Sequence, residues 1–127
     1  MTRPRDRYGR PLALDAPENQ IVATVPARED ISSAMAWDEA TSYLGQDLPF
    51  HAHEVFEQRW RCCPPCERDC WRALAQWGAA LTHQARGNPK GRREVAARAI
   101  ALLSGCEIVD PVDAELVMAS LKDLAAK

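Results

Sequence analysis

Prolines and glycines divide residues 32–127 into five segments, and this spacing constrains the fold more than any other feature of the chain. Between these breakers the apolar residues recur at helical intervals, and no segment alternates as a strand would. Residues that cap or end helices stand at most segment boundaries. The pattern predicts an all-α domain, a compact bundle of about five helices. The predicted helices cover about residues 33–44, 49–61, 65–86, 89–104 and 110–125.

Residues 1–31 differ from the rest, since they carry four prolines, four arginines within the first ten positions and no sustained period. This composition predicts an extended or partly disordered N-terminal arm, followed by a single helical domain over residues 32–127. Ile21, Val22 and Val25 are candidates for holding the arm on the domain, and its arginines are candidates for contact with an acidic partner. A solvated tail is the favoured alternative.

Charge and hydropathy exclude several classes of function. A formal net charge of -2 over 127 residues gives no general basic field, so no nucleic-acid partner is expected. No apolar run approaches the roughly 20 residues of a membrane span, and the first residues lack the apolar core of a secretory signal. We therefore expect a cytoplasmic protein without a membrane partner. A homo-oligomer is compatible with the sequence.

The chain has five cysteines, an odd number that argues against a complete set of disulfides. Cys63 and Cys66 form a CxxC motif, and Cys62 and Cys70 flank it, so a metal or redox role for these four is one hypothesis. Their near-contiguous positions across a Pro-Pro turn favour the other hypothesis, in which the thiols pack in the domain or are incidental.

The second predicted helix carries two ionisable residues on its expected core-facing seam. Phe50, His53, Glu57 and Trp60 follow the i, i+3, i+7, i+10 spacing of such a seam. A buried imidazole beside a buried carboxylate must be paired, hydrogen-bonded or bound to a metal, because stranding either group costs several kcal/mol. His51 points away from this seam, so we expect it at the surface.

The third predicted helix has two faces that are suited to burial, which makes it the expected central helix. One is an apolar stripe, and the other is lined by small residues together with Gln76 and His83. The short turn before this helix predicts that it packs antiparallel to the second. His53, Glu57, Gln76 and His83 would then converge inside the bundle.

Two imidazoles and a carboxylate are a familiar ligand set for zinc and non-haem iron. We therefore predict His53, Glu57 and His83 as metal ligands, and Glu54 as the base acting on a metal-bound water, which is the chemistry of a metal-dependent hydrolase. The cofactor would be a divalent metal, namely zinc, iron or manganese, and the substrate an unidentified small molecule. Gln76, Trp60 and Asn88 would support the site.

The alternative hypothesis needs no metal. The same cluster would be a satisfied hydrogen-bond network that fixes the register of two helices in a non-catalytic helical interaction module. A basic cluster of Arg86, Lys90, Arg92 and Arg93 surrounds the turn before the fourth helix. An anionic group could dock there, although a solvated charged turn is the favoured interpretation.

A longer pattern resembles a known family. The string FHAHEVFEQRW, followed by ERDCWRALAQWGAALTHQARGNPKG, is similar to the family called domain of unknown function 309, over about residues 46–104. The resemblance implies a small all-helical fold, and the family is sometimes labelled a predicted metal-dependent hydrolase. The positions that match its pattern are His53, Glu54, Glu57, Trp60, Gln76, His83, Gly87, Asn88 and Gly91. The four clustered cysteines lie outside that pattern.

Overall fold

The computed structural model describes residues 3–126, and within that range the chain forms five α-helices. They are α1 (Ser33–Gly45), α2 (Pro49–Cys62), α3 (Arg68–Ala85), α4 (Pro89–Gly105) and α5 (Ala114–Ala125). No β-strand occurs in the described range, where extended backbone pairs at one isolated bridge between Arg5 and Pro11. The all-α prediction is confirmed. Residues 1–2 and 127, at the ends of the predicted arm and domain, lie outside the described residues.

Side-chain caps determine where three of the helices begin. Ser32, Asn88 and Asp113 accept hydrogen bonds from the backbone N–H three residues later, at 3.1, 3.2 and 3.1 Å. The fifth helix therefore starts at Ala114, later than predicted, because the side chain of Asp113 caps it. The third starts at Arg68 because a separate 3₁₀ turn, Pro65–Glu67, precedes it.

Helix α3 is central, as predicted, and contacts α2, α4 and α5. Aromatic rings fill the space around it: the Phe56 ring centroid lies 6.4 Å from that of Trp71 and 6.0 Å from that of Trp77. Trp71 and Phe56 are the largest fully buried side chains, and full burial of such a side chain stabilises the fold by roughly 1.5–3 kcal/mol.

Helices α2 and α3 are antiparallel and lie in close backbone contact at Gly78. A Cβ atom on Gly78 would lie 2.8 Å from the Cα of His53 and 2.9 Å from its backbone nitrogen. Only the absence of a side chain permits this contact. The close approach holds His53 against the α3 backbone.

The N-terminal segment before α1 lies along α2. Carbonyl oxygens of this segment accept hydrogen bonds from three α2 side chains: Ala23 from His51, Pro26 from Gln58 and Ile31 from Arg59. The side chains of Val25 and Ile31 are buried, with 7% and 4% of their surface exposed, whereas Ile21 is 39% exposed. Two apolar anchors and a row of backbone acceptors thus hold the described part of the arm on the helices.

Across residues 3–126, no helix combines the length and apolar character that crossing a membrane requires.

Candidate functional site

His53 and Glu57 form a pair on one side of α2, where the helix faces α3. The Nε2 atom of His53 lies 3.1 Å from Oε1 of Glu57, and the two side chains are 23% and 36% exposed. The Nδ1 atom of His53 lies 2.7 Å from the carbonyl oxygen of Ala75 in α3. A carbonyl only accepts, so Nδ1 carries a proton that it donates to Ala75.

Protonation of this pair follows from its hydrogen bonds. Burial disfavours the charged form of His53, but the hydrogen bonds to Glu57 and Ala75 and the Glu57 charge outweigh it, and the pKa of His53 is raised. The hydrogen bond from His53 lowers the pKa of Glu57 against the opposing effect of burial. Both directions favour an imidazolium that donates to a carboxylate and to a backbone carbonyl at once.

The predicted core-facing seam of α2 is wrong in its orientation. Phe50, His53, Glu57 and Trp60 are all partly exposed. The fully buried stripe of α2 is Ala52, Val55 and Phe56. The large aromatic residues at 50 and 60 indicated a buried seam. The residues that enter the core are instead Ala52, Val55 and Phe56, at i, i+3, i+4 spacing, and His53 lies at the edge of the core.

Gln76 lies beside the pair. Together with His53, Glu57, Trp60, Arg72 and Ala75 it lines a cleft of about 150 Å³. Its Oε1 atom is buried and has no hydrogen-bond partner among the described residues. The predicted proximity of Gln76 to His53 and Glu57 is therefore present in the structure, in a cleft that is open to solvent.

Glu54 lies on a different side of α2 from His53. Its Oε1 accepts a hydrogen bond of 3.4 Å from the backbone N–H of Val25 in the arm. Burial raises the pKa of Glu54, against smaller opposing effects that include this hydrogen bond. Glu54 lines a separate cleft with Glu57 and Gln58, and it does not line the cleft that contains Gln76. The predicted base therefore faces the arm.

His83 is held by the turn between α3 and α4. Its Nδ1 lies 3.1 Å from the Nδ2 of Asn88, which donates, so the ring is a neutral tautomer with its proton on Nε2. Burial, followed by the charge of Arg86, lowers the pKa of His83. A Cβ on Gly91 would lie 2.7 Å from this Nδ1, so the glycine leaves room for the ring. Asn88 thus both caps α4 and orients His83.

His83 shares a second cleft with His53 but not with Glu57. This cleft has a volume of about 120 Å³, and its lining residues are Phe50, His53, Ala79, Thr82, His83 and Arg86. Within residues 3–126 no group of three or more His, Cys, Asp or Glu side chains could hold a metal ion. The described side chains of His53, Glu57 and His83 do not form such a group.

The five cysteines are free thiols, of which Cys70 and Cys106 contact each other. Cys62, Cys63 and Cys106 each lie within 3.4–3.6 Å of a backbone carbonyl oxygen to which the thiol donates. Cys66 is exposed, and burial raises the pKa of Cys70 to about 11. These contacts are those of packing residues, and a raised pKa disfavours the thiolate that metal binding needs.

The expected surface position of His51 is wrong. Only 2% of this residue is exposed, and its Nε2 donates a hydrogen bond of 2.6 Å to the carbonyl oxygen of Ala23. The arm covers this side of α2, which helical periodicity alone could not reveal. The apolar run at residues 21–25 was the one available signal that the arm packs on a helix.

Residues 37–95 match the family model described as Domain of unknown function (DUF309). The chain thus contains a segment that matches the DUF309 family. The matched segment begins in α1 and ends in α4, and it contains His53, Glu57, Gln76, His83 and Asn88. Comparison with curated proteins and with solved structures gave no match. The family assignment therefore accounts for the helical core and names no activity.

Proposed function

We propose that this DUF309 domain is a non-catalytic helical interaction module, in which the His53–Glu57 pair is a structural link between α2 and α3. One observation supports the proposal above all: both ring nitrogens of His53 have partners inside the fold, at 2.7 Å to Ala75 and 3.1 Å to Glu57. When Nε2 is protonated and donates to Glu57, the ring has no lone pair for a metal or a substrate proton.

The location of the link explains its structural value. His53 lies where Gly78 brings the two helix backbones together, and Ala75 is one turn before Gly78 on α3. A polar side chain in such a contact that donates to the neighbouring helix fixes the register of the two helices. Glu57 completes the arrangement by compensating the imidazolium charge.

The other predicted site residues have separate structural tasks. Glu54 accepts from Val25 and fastens the arm, and His83 accepts from Asn88 and fastens the α3–α4 turn. Each side chain is therefore used where it lies, which supports an architectural interpretation of the cluster.

A metal-dependent hydrolase is the second candidate, because the unpartnered Oε1 of Gln76 lies in the same open cleft as His53 and Glu57. Zinc, iron or manganese would be held by these three side chains. A bound divalent ion supplies Lewis acidity and lowers the pKa of a water ligand. The donor set fits such an ion poorly, since Arg72 also lines the cleft and opposes a cation there. Glu54 lies outside this cleft, so no proton transfer is assigned to it.

Elemental analysis of the full chain, purified without a metal-affinity tag, tests the proposal. We expect no stoichiometric zinc, iron or manganese, and no change in thermal midpoint when zinc is added. His53→Gln should lower the free energy of unfolding by about 1 kcal/mol, since a charge-assisted hydrogen bond between helices is lost. About one equivalent of metal that disappears in both His53→Gln and Gln76→Leu would establish the second candidate instead.

We also propose a cytoplasmic location. All five cysteines are free thiols, as expected of a protein in a reducing compartment.

A further inference from the structure

The cleft between α2 and α3 that Arg86 lines carries a permanent positive charge. The neutral ring of His83 and the His53 ring, whose charge Glu57 compensates, also line it, and no acidic residue is among the side chains described there. Its volume of about 120 Å³ exceeds the roughly 10–15 Å³ that one water molecule needs. A small ligand therefore has room in it.

The arm adds two more guanidinium groups beside this cleft. The guanidinium carbons of Arg5 and Arg86 lie 5.5 and 5.9 Å from the centroid of the Phe50 ring. Arg10 donates to the backbone carbonyl of Arg86 at 3.0 Å. Asp6 accepts from the backbone N–H groups of Tyr8 and Arg10, and its Oδ2 lies 4.0 Å from Nη1 of Arg10. The charge of Arg5 also acts on the carboxylate of Glu54. Asp6 and Glu54 thus compensate part of the charge of these arginines, whereas Arg86 has no acidic partner within ion-pair distance among the described residues.

Repulsion within this group is consistent with an anionic ligand. Burial, and then the charge of Arg10, lower the pKa of Arg86; the charge of Asp6 opposes this, and Arg5 contributes a smaller lowering. Arg10 and Arg86 also join the arm to the end of α3 through backbone carbonyls, but the repulsion between their charges opposes folding. An anion placed among them would remove that cost.

Donors for such an anion are available. Arg86 uses Nε to bind the carbonyl oxygen of Tyr8, and its Nη1 and Nη2 make no hydrogen bond to any described residue. His83 presents Nε2–H because its Nδ1 accepts from Asn88. Thr82 and His53 are not donors here, since the first donates to Gly78 and the second to Ala75. Arg86 and His83 therefore provide the direct contacts.

We propose that this cleft binds a phosphate-type oxyanion, free or as part of a phosphorylated ligand, through Arg86 and His83, with Arg5 and Arg10 at its rim. A planar guanidinium with two free amino groups suits the oxygens of such a group. The site would give the arm a role, because the arm supplies two of the three arginines. This inference deepens the proposed interaction module by naming the chemical class of its ligand.

Inorganic phosphate, titrated into the full chain at low ionic strength and followed by amide NMR, tests the inference. We expect saturable shifts at Thr82, His83 and Arg86. Ala79→Leu fills the cleft without changing its charge, and Arg86→Gln removes the main donor; each should weaken binding by about tenfold or more. The matched controls are Ala97→Leu and Arg98→Gln, which make the same changes at exposed α4 positions and should bind as the wild type does.

The inference is overturned if phosphate produces no saturable shift, if Ala79→Leu binds as tightly as the wild type, or if acetate and chloride at equal ionic strength give the same shifts. Should Arg86→Gln fail to fold, Ala79→Leu decides the matter, because it leaves the contact between Arg86 and Tyr8 intact. A failure to bind phosphate leaves the metal-content and His53 stability results untouched, so the inference and the proposed function fail separately.

Discussion

The two sides of α2 use a histidine in opposite ways. On the arm-facing side, His51 is 2% exposed and donates to the carbonyl oxygen of Ala23. On the α3-facing side, the side chain of His53 is 23% exposed, donates to Ala75 and has the carboxylate of Glu57 within 3.1 Å. The more deeply buried histidine has no acidic partner within ion-pair distance among the described residues, and the more exposed one has its charge compensated.

The depth at which a histidine is buried therefore does not determine whether its charge is paired with a carboxylate. His51 fastens an irregular segment that brings only backbone acceptors to α2. His53 fastens two regular helices, where the i, i+4 position on its own helix supplies a carboxylate. His53, which the sequence indicates as a metal ligand, therefore joins two helices. We expect His51 to contribute more to the free energy of unfolding.

The largest effect should come from separating α2 and α3. Gly78→Ala places a methyl group 2.8 Å from the Cα of His53, where no flexible side chain can give way. We expect the free energy of unfolding to fall by about 2–3 kcal/mol. Chemical denaturation measures it. Gly105→Ala is the control, because no heavy atom lies within 4 Å of its added Cβ, and it should be neutral or slightly stabilising. Equal effects of the two changes would show that the close contact is unimportant.

The arm-facing side comes next. His51→Ala leaves the carbonyl of Ala23 without its donor and opens a small cavity, so we expect a loss of about 2 kcal/mol. Amide hydrogen exchange should become faster over residues 21–31. The matched change His53→Ala should cost about half as much and leave exchange in the arm unaltered, since its ring is partly solvated. A larger loss for His53→Ala would reverse the comparison.

The α3-facing side should respond to pH. The raised pKa of His53 stabilises the fold below its unfolded value of about 6.5, and the benefit is lost as pH rises through the folded pKa. The lowered pKa of Glu57 stabilises above about 4.3, and this benefit is lost as pH falls through its folded pKa. The stability difference between wild type and His53→Gln should be about 1 kcal/mol between these values and smaller at pH 3 and pH 9. A difference that is constant with pH would contradict the ion pair.

The smallest change in stability is expected for Glu54→Gln, with Glu57→Gln as the matched change. Burial raises the pKa of Glu54, so its carboxylate opposes folding increasingly as pH rises from its unfolded value through the folded one. At pH 7, Glu54→Gln should change stability by less than about 0.5 kcal/mol, or stabilise slightly. Glu57→Gln makes the same change on the His53 side and should destabilise. A stronger loss at Glu54 would mean that its contact with Val25 matters more than the His53 pair.

Local signals predicted the helices well, because caps and breakers act within one turn. Ser32 and Asn88 begin helices as expected, whereas Asp113 replaces the Asp110–Pro111 start because its side chain, not the proline, caps α5. The i, i+4 spacing also predicted that His53 and Glu57 lie together. Their orientation relative to the core was missed, because the aromatic residues at 50 and 60 indicated a buried seam, whereas the buried stripe is Ala52, Val55 and Phe56.

The partners of Glu54, His51 and His83 could not be predicted from the sequence. Glu54 binds a backbone N–H of the arm, and His51 binds a backbone carbonyl there. Backbone groups of an irregular segment leave no periodic pattern to read. His83 accepts a hydrogen bond from Asn88 across the α3–α4 turn, and the helical spacing within α3 does not reveal this contact.

An NMR pH titration of the His53 ring, with and without zinc, is the most direct measurement of whether this imidazole is fully engaged within the fold. We expect a pKa above the usual histidine value of about 6.5, a lower pKa in Glu57→Gln, and ring resonances that do not move when zinc is added. A pKa at or below the usual value, or ring signals that shift to saturation at one equivalent of zinc, would contradict it.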